Sequence, residues 1–248
     1  MNIILINPQE LDGTGLAHLS GERAEHIRNT LRAVSGKELC IGLLNGSLGS
    51  GTVETVGSGM VTLRCVFEEE VPPRPAVDLL LALPRPKVMK RLWTQLAALG
   101  VGRIILTNAE KVERYYFDSH VLDPDFFTAR LIEGLQQAGD TPLPEVQIVK
   151  QLKPFLEEEL DRVFPEKGVR LLADPSGVQN VFQVFDKTNV SSKRTLLAIG
   201  PEGGWTPYEL ELFAAHGFRI FNAGPRILRT DTACIALLAL LALHSSRT

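Results

Sequence analysis

Over the first 70 residues the apolar positions come in short runs separated by glycine and polar turns: "GKELCIGLL", "GSGTVETVG" and "GMVTLRCVFEEE". "MVTLRCVF" alternates apolar and polar side chains, the period of a half-buried strand. The pattern predicts a small β-rich domain. One helix is expected to interrupt it in "SGERAEHIRNTLRAV", where Ile27, Leu31 and Val34 recur at helical spacing after a loose capping pattern from Ser20 to Arg23. Pro72, Pro73 and Pro75 then make a stiff linker.

After the linker, continuous apolar runs alternate with helical periods. "AVDLLLALP", "GRIILTNA", "PEVQIVK", "GVRLLADPSG", "RTLLAIGPEGG" and "FRIFNAG" read as strands. "KVMKRLWTQLAALG", "DPDFFTARLIEGLQQAG", "KPFLEEELDRVF", "TPYELELFAAHG" and "RTDTACIALLALLALH" read as helices, the second with Asp123 as N-cap and Pro124 at its first position. This alternation predicts an α/β fold with a largely parallel sheet covered by helices on both faces. Ligands of such sheets bind outside the carboxyl ends of the strands. Three loops directly follow apolar strands and carry the chemistry: 173–177, 199–205 and 222–233.

A length of 248 residues allows one large domain or two small ones, and 44% hydrophobic with 22% charged residues is ordinary for a soluble globular chain. The net charge of −3 argues against indiscriminate coating of nucleic acid but leaves room for a local basic face. Arg85, Lys87, Lys90 and Arg91 crowd into seven residues, either as a solvated helix face or as phosphate contacts. The N-terminus lacks the basic start of a signal peptide, and "ACIALLALLALHSS" is too short for a membrane span, so no membrane association is expected. Cys40, Cys65 and Cys234 are scattered, odd in number and without metal-ligand spacing, as in a cytoplasmic protein with reduced thiols; no metal site is expected.

"IGPEGGW" at 199–205 lacks the Lys-Ser/Thr ending of a phosphate loop and does not fit G-x-G-x-x-G. A turn into a helix capped by Thr206, with Pro207 first and Glu209 in the first turn, accounts for one glycine. Gly200, Gly203 and Gly204 together suit a backbone that comes close to a ligand, such as a flat heterocycle. In "GPRILRTDTA", Gly224 and Pro225 turn the chain, Arg226 and Arg229 flank Ile227 and Leu228, and Thr230 or Asp231 caps the next helix. Cations at a helix N-terminus oppose the macrodipole and fit an anionic partner; the plain alternative is a buried helix with two solvent arginines. Asp174 lies in an Asp-Pro turn. His216 and His244 fall on helices and His18 and His26 in the first domain, and no Ser-His-Asp arrangement emerges.

"LLAIGPEGGWTPYELELF" followed by "NAGPRILRTDTACIALLALL" resembles the C-terminal motifs of the RsmE-type 16S ribosomal RNA uridine-N3 methyltransferases, in the SPOUT superfamily. "HIRNTLRAVSGKEL" and "LPRPKVMKRLWTQLAALGVGRI" extend the resemblance over nearly the whole chain. It implies a PUA-like β-barrel RNA-binding domain over 1–71. It further implies a SPOUT methyltransferase domain over 76–248, α/β with a C-terminal trefoil knot, a rare exception to unknotted chains.

The resemblance also implies S-adenosylmethionine as cofactor, 16S rRNA within the 30S subunit as substrate, N3-methyluridine as product, and a cytoplasmic homodimer. The cofactor site would include Leu172, Ala173, Gly200, Pro201, Glu202, Gly203, Gly204, Ala223, Gly224, Ile227, Leu228, Thr232 and Ala233. Arg229 is the candidate to stabilise negative charge on the uracil oxygens or to bind the adjoining phosphate, and Glu202 to accept a proton or touch the cofactor. Arg28, Arg32, Arg85, Lys87, Lys90, Arg91 and Arg226 would contact RNA. Three positions depart from the family pattern: Asp140 replaces an arginine, Asp231 a glutamate, and "LLNGSLGSG" a Phe-Asp-Gly stretch. The first and last leave open a methyltransferase of this fold for another RNA position; a second alternative, a non-catalytic RNA-binding or assembly protein, is opposed by the intact cofactor loops.

Overall fold

The computed structural model describes residues 2–164, 168–188 and 194–245. It divides into two compact units: Met1–Arg74 with Ile132–Leu143, and Pro75–Leu131 with Pro144–Thr248. The division falls inside the proline-rich stretch. The inclusion of Ile132–Leu143 in the first unit has no counterpart in the sequence reading.

In the first unit the short apolar runs form β1 (Ile4–Ile6), β2 (Leu16–Ser20), β3 (Glu38–Leu43), β4 (Leu48–Val56) and β5 (Met60–Phe67). They make one sheet in the order β1-β3-β4-β5-β2, with β1 parallel to β3 and the other pairs antiparallel. Alternation sends Ile41, Val53, Val61 and Leu63 into a core with Ile4, Ile6, Leu19 and Ile27. The helix is shorter than its periodicity suggests. α1 (Gly21–Glu25) passes into a π turn (His26–Thr30), and Arg32 takes a left-handed backbone with φ of +48° that ends it. Val34, expected on the buried face, therefore lies beyond the helix and is 67% exposed. Ser20 occupies the N-cap position without a side-chain capping bond.

Two of the departures from the family pattern meet in this unit. Asn45, in "LLNG", has a φ of +60° and donates its backbone N–H to the Thr141 carbonyl at 3.0 Å. Its Oδ1 accepts the Leu143 N–H at 2.8 Å, and the Thr141 hydroxyl donates to the Gly46 carbonyl. Asp140 Oδ1 accepts the Thr141 N–H at 2.8 Å. The altered loop and the altered helix end are thus fitted to each other, with Thr141 fully buried between them.

The second unit is built on β6 (Val77–Ala82), β7 (Val101–Thr107), β8 (Glu145–Val149), β9 (Val169–Ala173), β10 (Gln179–Asn180), β11 (Thr195–Ile199) and β12 (Arg219–Asn222). All pairs are parallel, in the order β10-β12-β9-β11-β6-β7-β8. Leu79 to Ala82 and Leu196 to Ala198 have no exposed surface, as expected of strands covered on both faces. The helices are α2 (Pro86–Ala98), α3 (Pro124–Ala138, whose residues from Ile132 on belong to the first unit), α4 (Leu152–Pro154), α5 (Leu160–Val163), α6 (Val181–Thr188), α7 (Pro207–Ala215) and α8 (Thr230–Ser245). A π turn, Phe155–Glu159, joins α4 to α5, so the expected single helix there is interrupted. No helix of the described residues is long and apolar enough to cross a membrane.

β10 and α6 were not foreseen. Their signal is an Asn180–Gln183 pair in which each side chain accepts the other's backbone N–H at 3.0 Å, a reciprocal N-terminal cap.

Candidate functional site

β9 lies between β11 and β12, with Ala173 opposite both Ile199 and Phe221. The loops that leave these three strands therefore start side by side. The first is tied to the third strand: the Asp174 N–H donates to the Phe221 carbonyl at 2.9 Å, and Asn222 Nδ2 donates to the Gly177 carbonyl at 2.7 Å. Asp174 Oδ1 accepts both the N–H and the hydroxyl of Ser176, closing the Asp-Pro turn.

In the second loop two glycines have local reasons. Gly204 holds a φ of +69°, strained for any other residue, and donates its N–H to the Pro201 carbonyl at 2.8 Å. A Cβ on Gly200 would lie 3.0 Å from the Trp205 indole. Trp205 packs against Phe213 with ring centroids 4.8 Å apart and is 5% exposed. Its indole N–H is buried without a hydrogen-bond partner among the described residues.

The loop then enters α7 through the foreseen cap. Thr206 and Glu209 form a full capping box, and Glu209 is only 5% exposed. Glu209 Oε2 accepts the Thr206 N–H at 2.7 Å and the Thr206 hydroxyl at 2.9 Å, while Oε1 accepts the Glu110 N–H at 2.8 Å. One carboxylate thus fastens the β11 loop to the segment after β7. Truncating it leaves backbone donors without partners, so Glu209→Ala should lower stability by about 2 kcal/mol. Urea unfolding monitored by circular dichroism would measure this, and an unchanged midpoint would mean that water replaces the carboxylate.

The third loop docks on the second. The Thr230 hydroxyl donates to the Gly200 carbonyl at 3.2 Å instead of capping its own helix, and the Arg229 carbonyl accepts the Ala233 N–H at 2.8 Å. Asp231, in the first turn of α8, stands 3.5 Å from both Arg91 and Arg229. A carboxylate there suits the helix dipole. Behind it Cys234 is fully buried, and burial, with the Asp231 charge adding, pushes its thiol pKa well up.

The three loops enclose a cavity of about 620 Å³. Of the residues expected at the cofactor, Ala173, Gly200, Pro201, Glu202, Gly204, Ala223, Gly224, Ile227, Leu228 and Ala233 line it. Leu172 is buried inside β9, and Gly203 and Thr232 lie outside the wall. The wall also holds residues that the sequence reading did not assign to the site, chiefly Asp174, Asn180, Trp205, Asn222 and Thr230.

Glu202 lines the cavity and accepts the Arg85 N–H at 3.2 Å. Arg226 lines it too, whereas Arg229 stays outside with a side chain 73% exposed. Lys87, Lys90 and Arg91 form the exposed face of α2, whose other face buries Met89, Leu92 and Trp93. In the first unit Arg32 is exposed and Arg28 half-buried, donating to the Ser58 carbonyl.

A family model described as an RNA methyltransferase domain matches residues 72–242. The chain is similar to the ribosomal RNA small subunit methyltransferase E of Treponema pallidum, at 30% identity over 96% of this chain and 90% of that protein. A relative named ribosomal RNA small subunit methyltransferase E 1, from Borreliella burgdorferi, is 27% identical over 95% of each chain. Among solved structures it is similar to a Legionella pneumophila methyltransferase in complex with bound SAM, at 25% identity, a TM-score of 0.76 and 98% coverage of both chains. The fold also matches the methyltransferase E of Neisseria gonorrhoeae bound to S-adenosyl methionine, at 19% identity, a TM-score of 0.78 and 97% coverage of both. With the family model covering most of its length, the chain belongs to the RsmE-type family of ribosomal RNA small subunit methyltransferases.

Proposed function

We propose that this chain uses S-adenosylmethionine to methylate N3 of a specific uridine in 16S rRNA, acting on the 30S subunit as a cytoplasmic homodimer. The observation that carries the reading is the meeting of three strand-end loops around one cavity at the carboxyl edge of a parallel sheet. Its volume suits a nucleoside-sized ligand. The glycine backbone and the Arg226 guanidinium offer donors to a zwitterion bearing a nucleoside.

In this reading Ala173, Gly200, Pro201, Gly204, Ala223, Gly224 and the Ile227–Leu228 pair hold the cofactor. The insertion of β11 between β6 and β9, with α8 starting on the β11 loop, supports a trefoil-knotted SPOUT domain. The five-stranded sheet of the first unit supports a PUA-like RNA-binding domain.

Bound S-adenosylmethionine supplies an electrophilic methyl group on a sulfonium. The chain must do the rest. Uracil N3 carries a proton at neutral pH, so the base has to be turned out of its stack, oriented and relieved of that proton. Arg229, held beside Asp231, is assigned to the negative charge that develops on the uracil oxygens. Glu202, at the cavity wall and accepting the Arg85 N–H, is assigned to proton acceptance. Arg226, Arg85, Lys87, Lys90 and Arg91 are assigned to RNA phosphates, as are Arg28 and Arg32 in the first unit.

Trp205 makes cofactor binding directly observable. Trp93, the second indole, is fully buried and donates to the Val121 carbonyl at 2.9 Å, away from the cavity. Titration with S-adenosylmethionine is expected to change the intrinsic fluorescence, and Trp205→Phe to abolish that change. Calorimetry showing no binding of S-adenosylmethionine to the wild-type chain would refute the reading.

A further inference from the structure

The β11 loop has neighbours on the side away from β9: the loops after β6 and β7, next in the sheet order. Three hydrogen bonds fasten them to it. The Arg85 N–H reaches Glu202, Lys111 Nζ reaches the Gly203 carbonyl at 2.8 Å, and the Glu110 N–H reaches Glu209. The cavity is therefore flanked by a second, fixed surface, and a short 3₁₀ helix at Arg114–Asp118 stands on it.

That turn presents two consecutive tyrosines. Their rings meet edge to face, with centroids 4.8 Å apart and planes at 85°. Tyr115 is 65% exposed, and Tyr116 lies half-buried beneath it. The Tyr116 phenol has its pKa raised, by burial first and then by Tyr115; Glu202 adds to the rise and Arg85 opposes it. Lys111, four residues before Tyr115, is bonded to the Gly203 carbonyl, which keeps the pair beside the β11 loop. The tyrosines gain little from packing in this arrangement, since one ring keeps most of its surface in water.

The charge around them also narrows what they could bind. Along this segment Lys111 and Arg114 are offset by Glu110, Glu113 and Asp118. A near-neutral patch is a poor phosphate clamp. An exposed ring braced by a second ring is a good surface for a nucleobase, because every base has a π face.

We propose that Tyr115, braced by Tyr116, is a stacking platform for an RNA base beside the one that enters the cavity. The assignment rests on the RNA methyltransferase reading above and adds a positioning residue to it. Flipping one base out exposes the face of its neighbour, and a platform at the rim would hold that neighbour in register.

The test uses the full chain, its Tyr115→Ala and Tyr115→Phe variants, and unmodified 30S subunits as probe. Filter binding at several salt concentrations and methylation kinetics are measured alongside calorimetry with S-adenosylmethionine. Tyr115→Ala is expected to weaken 30S binding about tenfold and to raise KM similarly, with cofactor affinity unchanged. The slope of log affinity against log salt should stay that of the wild type, because no phosphate contact is lost. Tyr115→Phe should behave as the wild type. Wild-type behaviour of Tyr115→Ala, equal loss in Tyr115→Phe, or a shallower salt slope would each overturn the platform. Failure of the wild-type chain to bind S-adenosylmethionine would instead overturn the underlying function, and the binding arm would still report on Tyr115.

Discussion

Arg229→Ala is expected to lower turnover on 30S subunits about 100-fold while leaving S-adenosylmethionine affinity unchanged. Arg229 stands outside the cavity wall, so its removal should not disturb the cofactor. It is still an oriented group, since Asp231 holds it at 3.5 Å while also meeting Arg91. A cation so placed at the mouth of the site can act where negative charge appears on the base. Losing one preoriented donor typically lowers the rate by two to three orders of magnitude, and the 73% exposure of Arg229 places the effect at the lower end. Arg229→Lys keeps the charge but not the planar fork, and should fall between the two. Single-turnover methylation at saturating 30S separates this effect from weaker RNA binding. Full turnover in the alanine variant would remove the role, and lost cofactor affinity would move Arg229 into the cofactor site.

Asp78→Ala is expected to destabilise the second unit by about 3 kcal/mol. Asp78 is the second residue of β6 and is only 1% exposed. Its two oxygens accept Arg194 Nε at 2.8 Å and Nη2 at 2.7 Å, a bidentate pair that raises the arginine pKa. Removing the carboxylate strands a guanidinium whose side chain is about one-third exposed, which places the effect at the lower end of the range for broken buried pairs. The pair sits at the amino ends of β6 and β11, opposite the cavity. Denaturant midpoints should therefore drop while the cofactor affinity of the folded variant persists. A loss below about 1 kcal/mol would mark the pair as solvent-screened.

These two sites differ in how legible they were. The strand-and-helix alternation of the second unit was readable because parallel strands buried on both faces are written as unbroken apolar runs, as in Leu79–Leu81 and Leu196–Ile199. The cap at Thr206 and Glu209 was equally local. By contrast, β10 is two residues long and has no period to read. The grouping of Ile132–Leu143 with the first unit depends on bonds such as Thr141 to Gly46, 95 residues apart, and no window along the chain can contain that. Arg32 ends the π turn that follows α1 through its own backbone, so the apolar period runs past the helical segment to Val34.

The glycines of "GPEGG" show the limits of reading a site from composition. They were expected to bring backbone to a ligand, and the loop does border the cavity. Yet Gly200 makes room for Trp205, and Gly204 supplies a left-handed turn. The loop is shaped first by its own packing. The three strand-end loops were legible as a set, because each follows an apolar strand directly. Trp205 and Asn180 joined the wall unforeseen, since their contribution depends on which strands become neighbours.

The most direct measurement is methyl transfer to purified, unmodified 30S subunits and to free 16S rRNA, with the modified base mapped by mass spectrometry of nuclease fragments. The account predicts S-adenosylmethionine-dependent formation of N3-methyluridine at a single position, with 30S subunits as the preferred substrate. Methylation at another atom or base, or no transfer by a chain that binds the cofactor, would contradict it.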